Sequence, residues 1–124
     1  MYEFYNPNPY GKKTGDCVVR AICKALDFNW LDVYLGLCLD GASFGDWGNT
    51  NGVWANYLAN RGFERQVIPN TCPNCYTVSD FANDNPKGTF ILATGTHAVC
   101  VKDGVIYDTW DSSEEVPIYY FKEA

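Results

Sequence analysis

The stretch from Thr14 to Leu26 reads TGDCVVRAICKAL and predicts the helix around which the chain is organised. Its apolar residues recur at spacings of three and four, which is typical of a helix with one buried face. They are Val18, Ala21, Ile22, Ala25 and Leu26. Arg20 and Lys24 fall outside this apolar face, so we expect both side chains to lie in solvent.

Cys17 stands at the predicted start of this helix. Asp16 is a favourable N-cap residue and Gly15 allows a sharp entry, so Cys17 takes the first helical position. A thiol there lies near unpaired backbone N–H groups and the positive end of the helix dipole, which both favour the thiolate. Cysteine is also common as a small buried apolar residue. A nucleophilic role for Cys17 therefore depends on a base elsewhere in the chain.

The composition indicates one folded domain, residues 1–124. Hydrophobic residues make up 47% of the 124 positions, enough for a buried core. The net charge of −6 disfavours nucleic acid and anionic membranes as partners. No apolar run reaches membrane-spanning length, and the first residues lack the basic start and apolar core of a signal peptide. We therefore expect a cytoplasmic protein with reduced cysteines; its oligomeric state stays open.

The order of predicted elements indicates an α+β domain with helices first and an antiparallel sheet last. Residues 1–13 are expected to form an irregular arm. A second helix, capped by Asn29 and ending at Asp40-Gly41, is apolar nearly all round and is expected to be largely buried. Further helices are expected over about 52–61 and from Thr77 to just before Asn85. Strands are expected at 63–68, 89–94, 97–102, 105–110 and 116–121.

Asp103-Gly104 predicts a two-residue hairpin turn, and this turn determines a strand register. The expected pairs are Lys102 with Val105, Val101 with Ile106, Cys100 with Tyr107, Val99 with Asp108, and His97 with Trp110. Paired residues and alternate residues share a sheet face, so His97, Asp108 and Trp110 are expected on the same face. Asp108 is then within reach of the His97 imidazole, and Trp110 covers the contact. The pattern predicts a Cys17, His97 and Asp108 catalytic site.

This order resembles that of papain-like cysteine peptidases, in which the cysteine starts the first long helix and a strand carries the histidine. Asp108-Thr109-Trp110 resembles the Asn-Ser-Trp of that superfamily. Asp16-Cys17 and His97-Ala98-Val99 are closer to bacteriocin-processing double-glycine peptidases and to small bacterial and phage proteins. The resemblance covers residues 14–111. It implies a papain-like fold, a Cys17–His97–Asp108 triad, a peptide or protein substrate and no cofactor.

One departure from that pattern concerns the oxyanion hole. Those families usually carry a glutamine about six residues before the cysteine, and Gly11 stands there instead. The Cys17 backbone N–H supplies one donor in this interpretation, and Thr14, Asn8 and Asn6 are candidates for a second. Loss of one such donor typically costs about 10²–10³ in rate. The resemblance therefore leaves the strength of catalysis open.

Three functions are compatible with these residues. The leading one is hydrolysis of a peptide or isopeptide bond through a thioester intermediate. Acyl transfer to an amine uses the same three residues. The third is a binding protein on an inactive papain-like fold that sequesters a partner, which the missing glutamine favours. Exposed aromatic residues near the N-terminus would suit this third function: Tyr2, Phe4, Tyr5 and Tyr10.

Cys72-Pro73-Asn74-Cys75 is a competing signal. Zinc would need two more ligands, from Cys23, Cys38 or Cys100, and the first and last of these are expected in the core. A thioredoxin-like redox motif should open a helix after a strand, whereas this segment lies in a predicted loop. The interpretation favoured here is a loop with two incidental thiols.

Overall fold

The computed structural model describes residues 1–124 and contains four helices and one six-stranded mixed sheet. The helices are α1 (Cys17–Leu26), α2 (Trp30–Phe44), α3 (Asn51–Ala59) and α4 (Val78–Asp84). The strands are β1 (Tyr2–Phe4), β2 (Phe63–Val67), β3 (Thr89–Ala93), β4 (Ala98–Lys102), β5 (Val105–Asp108) and β6 (Tyr119–Glu123). The strand order is β1-β5-β4-β3-β6-β2. The predicted α+β class is confirmed, but the expected antiparallel sheet is mixed, because β1 pairs with β5 in parallel.

The sheet carries a core on each face, because successive residues of a strand point to opposite sides. The larger core joins α1, α2 and α3 to Ile91, Ala93, Ala98 and Cys100. The smaller one packs Val78 and Phe81 of α4 against Leu92, Val99, Val101 and Ile106. Alternate residues of β3 and β4 therefore belong to different cores, one on each face of the sheet.

The predicted apolar face of α1 is confirmed, but the expected position of Arg20 is wrong. Val18, Ala21, Ile22 and Ala25 are buried against the sheet. The Arg20 side chain is only 5% exposed. It is buried because two carboxylates lie beside it, as described for the candidate site below.

The hairpin register is confirmed over its regular part. Lys102 pairs with Val105, Val101 with Ile106 and Cys100 with Tyr107. Asp103 and Gly104 both have positive φ, +50° and +76°, as this turn requires. The ladder is shorter than predicted, since β4 begins at Ala98 and β5 ends at Asp108. His97 and Trp110 therefore lie just outside it.

The N-terminal arm is not wholly irregular. Residues 2–4 form β1, which pairs in parallel with β5. The Ile106 N–H donates to the Met1 carbonyl, and the Tyr5 N–H donates to the Asp108 carbonyl. Without this segment β5 would be an edge strand whose backbone N–H and C=O groups lack partners, and β1 supplies them. Pairing also leaves Tyr2 and Tyr5 half-buried, contrary to expectation, while Phe4 and Tyr10 are exposed.

The second helix is longer and more exposed than predicted. It continues past Asp40-Gly41 to Phe44 and is capped by Gly45, which has φ +69°. Only Val33, Leu37 and Gly41 are buried, because one side of α2 packs on α1 and α3 while the rest has no covering element. With 15 residues it is the longest helix, and no helix has the length and apolar character that a membrane crossing requires.

The cysteines differ from expectation at one place. Cys72 and Cys75 form a disulfide, so the expected pair of free thiols is wrong. The surrounding loop is folded by its own polar side chains, with Asn70 accepting from the Cys72 N–H and Thr71 accepting from the Tyr76 N–H. This turn brings the two cysteines together. Cys23 and Cys100 are buried free thiols, as expected from their apolar surroundings.

Candidate active site

Cys17 is the first residue of α1, at the floor of a cleft between the helix and the sheet. Asp16 occupies the N-cap position, but its side chain accepts no hydrogen bond from a backbone N–H of the helix, contrary to expectation. The Cys17 N–H has no backbone acceptor, since the first backbone bond of the helix is made by Arg20 to the Asp16 carbonyl. The start of α1 thus presents a thiol and a free N–H group together.

His97 lies immediately before β4 and is held there by Thr94. The Thr94 hydroxyl accepts from the His97 N–H at 3.0 Å, and the Thr94 N–H donates to the His97 carbonyl at 2.8 Å. The imidazole Nε2 lies 2.6 Å from Oδ2 of Asp108. The Trp110 ring lies 4.8 Å from the imidazole, centroid to centroid. The contacts predicted from the hairpin register are therefore present.

Cys17 and His97 line the same cleft, and each shifts the pKa of the other. Since Nε2 contacts Asp108, Nδ1 is the ring nitrogen left for the thiol. Burial alone would raise the pKa of Cys17, but its interactions with His97 and the Ala98 backbone, with the charge of Arg20, lower it. Burial would lower the pKa of His97, but Asp108 and Cys17 raise it to about 9. Both shifts favour a thiolate beside an imidazolium.

The Asp108 carboxylate is almost completely buried and accepts hydrogen bonds at both oxygens. Oδ2 accepts from His97 and from the Ser112 hydroxyl at 2.7 Å. Oδ1 accepts from the Thr109 N–H at 2.8 Å and from Arg20 Nη2 at 3.1 Å. Burial would raise the pKa of Asp108, but these donors, above all His97 and Ser112, lower it. Asp108 is therefore held ionised.

Sequence reasoning missed the group behind the triad. Arg20 bridges Asp108 and Asp16, donating to Asp16 Oδ1 through Nη1. The indole N–H of Trp30 donates to the other Asp16 oxygen at 2.9 Å. A signal was available, because residues 16 and 20 are four apart and share one side of a helix start. For Ser112, only its place in the Asp111-Ser112-Ser113 turn could have indicated its contact with Asp108.

The cleft over the thiol has a volume of about 620 Å³. Cys17, His97, Thr14 and Trp110 all line it, together with Asn49 and Asn51 near the start of α3. Asn51 Oδ1 accepts from the Trp54 indole at 3.1 Å, which leaves its amide N–H groups free. The two asparagines are polar donors that the sequence reasoning did not identify.

The structure narrows the candidates for a second oxyanion donor. The Asn6 side-chain amide donates to the Lys12 carbonyl and does not line the cleft. Asn8 is buried outside the cleft, with Oδ1 accepting from the Tyr10 N–H. Thr14 remains, alongside Asn49 and Asn51. No three histidine, cysteine, aspartate or glutamate side chains are grouped so as to hold a metal ion.

Comparison of the chain with protein-family models, with curated proteins and with solved structures found no match in any of the three.

Proposed function

We propose that this protein is a papain-like cysteine hydrolase that cleaves peptide or isopeptide bonds with Cys17, His97 and Asp108. The observation that carries the proposal is the grouping of these three side chains. The thiol at the start of α1 lines one cleft with His97, whose Nε2 lies 2.6 Å from the buried carboxylate of Asp108. A nucleophile, a base and an orienting acid in this order form the minimum set for acyl transfer.

In the proposed mechanism the Cys17 thiolate attacks the carbonyl carbon, and the carbonyl oxygen becomes an oxyanion. The intermediate collapses by breaking the C–N bond, and the leaving amine takes a proton from His97. A thioester on Cys17 remains. Water then gives a proton to His97 and attacks the thioester, which releases the carboxylic acid and restores the Cys17–His97 pair. Asp108 holds the imidazole in one orientation throughout.

The Cys17 N–H is the first oxyanion donor in this proposal, because it lies at the nucleophile and has no backbone acceptor. Thr14, Asn49 and Asn51 line the same cleft and supply the second donor from their hydroxyl or amide groups. Such donors act when aimed at the developing charge. The cleft therefore contains other candidate donors, although Gly11 stands where the related families carry a glutamine.

The test is thiol reactivity followed by acylation. Near pH 7, iodoacetamide should label Cys17 faster than the exposed Cys38, because the pKa of Cys17 is lowered, and His97→Ala should abolish the difference. The N-acetylglycine p-nitrophenyl ester should then leave a mass adduct on Cys17. Cys38→Ala is the matched control and should retain the rapid labelling of Cys17 and its acyl adduct. Faster labelling of Cys38, with no adduct on Cys17, would contradict the proposal.

Acyl transfer and sequestering are the alternatives, and the same samples separate them. An acyltransferase would pass the acyl group from Cys17 to glycinamide in preference to water, which mass spectrometry of the products detects. A sequestering protein of phage type would show an inert Cys17 and no turnover. The exposed Phe4 and Tyr10 would suit a binding role, so their substitution should then weaken partner binding.

A further inference from the structure

A second cavity of about 450 Å³ adjoins the cleft that holds the thiol. Thr14, Gly15, Val18 and Asn49 line both cavities, so the two are continuous around the start of α1. The proposed chemistry uses no residue that is unique to this second cavity. Its position beside the nucleophile makes it a place where a neighbouring part of a substrate would lie.

The walls of this cavity are aromatic. Trp30 and Tyr34 stack with ring centroids 4.9 Å apart, and the Trp30 indole is fixed by its hydrogen bond to Asp16. Trp47 and Tyr10 also line the cavity, as rings that are 79% and 86% exposed. The floor is aliphatic, formed by Val18, Val19 and Leu37. Cavities with apolar walls and a few polar groups bind bulky apolar side chains.

The charge around the two cavities is opposite to that of the whole protein. The net charge of the chain is −6, yet Asp16 is the only carboxylate that lines either cavity, and Arg20 pairs with it. Lys13 lines the first cavity and Lys12 the second, and neither forms an ion pair with a carboxylate. Two unpaired lysines on an acidic protein attract an acidic ligand to this region.

We propose that this second cavity is a specificity pocket that binds a bulky apolar side chain, preferably an aromatic one, of an acidic peptide. The apolar side chain lies against the Trp30–Tyr34 stack and Trp47. A neighbouring aspartate or glutamate of the same peptide lies against Lys12 and Lys13. This inference rests on the proposed function, because it places the pocket next to the bond that Cys17 attacks.

Binding is measured without chemistry, so that the pocket and the catalyst are tested separately. The Cys17→Ala protein, labelled with ¹⁵N, is titrated with N-acetylphenylalaninamide and with N-acetylalaninamide. The indole N–H resonances of Trp30 and Trp47 should shift, and the phenylalanine probe should bind on the order of tenfold more tightly, since its ring is buried. N-acetyl-Asp-Phe-amide should bind more tightly than N-acetyl-Lys-Phe-amide at low salt.

Matched variants locate the binding. Trp47→Ala should weaken binding of the phenylalanine probe at least threefold, whereas Phe44→Ala, which removes an exposed ring outside the pocket, should not. The double variant Lys12→Glu and Lys13→Glu should reverse the preference for the aspartate peptide. Lys87→Glu, an exposed lysine elsewhere, should leave that preference intact.

The outcomes are distinguishable from those of the catalytic test. Equal affinity for the phenylalanine and alanine probes, or shifts that spare Trp30 and Trp47, would overturn the pocket even if Cys17 is reactive. Phenylalanine binding that Lys12 and Lys13 do not influence would overturn the acidic preference. Specific binding with an inert Cys17 would support the pocket while the proposed hydrolysis fails.

Discussion

At the scale of single residues, Asp108 is shared between two positive groups. His97 contacts one carboxylate oxygen and Arg20 the other, so the carboxylate cannot turn without losing one of them. Ser112 and the Thr109 N–H fill the remaining acceptor positions. The imidazole orientation therefore depends on Arg20 as well as on Asp108.

Asp108→Asn should lower the pKa of His97 from about 9 toward its ordinary 6.5, because the negative charge beside Nε2 disappears. The amide is nearly isosteric, so the fold should persist. The His97 ring protons, followed by NMR across pH, report the change. Asp111→Asn is the control, because the Asp111 carboxylate accepts a hydrogen bond from the Ser113 N–H and not from His97. A shift with Asp111 and none with Asp108 would require a different triad.

The same two shifts predict a pH window for stability. Asp108 has a lowered pKa, so its contribution is present above 3.8 and is lost as pH falls through the folded value. His97 has a raised pKa, so its contribution is full below 6.5 and is lost as pH rises through about 9. Urea unfolding should show the largest deficit of Asp108→Asn between pH 3.8 and 6.5. A deficit that is independent of pH would contradict this linkage.

Arg20→Met should destabilise the protein by about 3–5 kcal/mol, because it leaves Asp16 buried without a cation and Asp108 with His97 alone. Lys24→Met is the matched control one turn later on α1. Lys24 lies 4.2 Å above the Tyr107 ring, a contact of about 0.5–1 kcal/mol. Urea unfolding of both variants checks the difference. Equal losses would mean that the Arg20 network is not a stabilising one.

The His97–Asp108 contact could be predicted from sequence, whereas the contact of Arg20 with Asp108 could not. The hairpin turn determines a register, and alternation along two strands then brings Asp108 to His97. Arg20 lies beside the apolar stripe of α1, where charged residues usually face solvent. Its burial depends on Asp108, which a different part of the chain supplies through tertiary packing. Helix periodicity carries no information about that partner.

At the scale of elements, the β4–β5 hairpin sets the position of the site. Its turn needs positive φ at Asp103 and Gly104, and an added Cβ at Gly104 would make only ordinary contacts, at 3.5 Å. Backbone conformation is therefore the main constraint at Gly104.

Gly104→Ala should destabilise the protein by about 1–2 kcal/mol, since a side chain disfavours its φ of +76°. Gly52→Ala is the control, and its expected effect on stability is the opposite. It lies in α3 with open space around it, so alanine should stabilise by about 0.5–1 kcal/mol. Thermal unfolding of both variants gives the comparison. A neutral Gly104→Ala would show that the turn tolerates a side chain.

Two features of the fold could not be predicted from local sequence patterns: strand β1 and the end of helix α2. β1 has three residues and forms only because β5 offers an open edge, which is a long-range pairing. The extent of α2 depends on Gly45, where the backbone turns left-handed, although Asp40-Gly41 is the stronger local stop signal. Gly41 lies inside α2, and a Cβ added there would lie 2.5 Å from the Asp46 carbonyl oxygen. The close approach of the following loop therefore requires glycine at this position.

At the scale of the whole molecule, two apolar cores on one sheet account for the fold, and Cys72–Cys75 pairs outside both. Chelation by EDTA should therefore leave the thermal midpoint unchanged. The Cys72→Ser and Cys75→Ser double variant should behave the same way toward EDTA. A fall of many degrees on chelation, restored by zinc, would show that these cysteines hold a metal instead.

The partners of Asp108 come from distant parts of the chain. Arg20 is 88 residues away in sequence and Tyr2, whose hydroxyl donates to the Asp108 carbonyl, is 106 away. Contacts of such high sequence separation carry a large loop-closure cost and form together with the global fold. A partly folded chain would hold Cys17 as an ordinary thiol. The alkylation rate of Cys17 can therefore serve as a gauge of native structure, usable in any refolding or quality-control experiment on this protein.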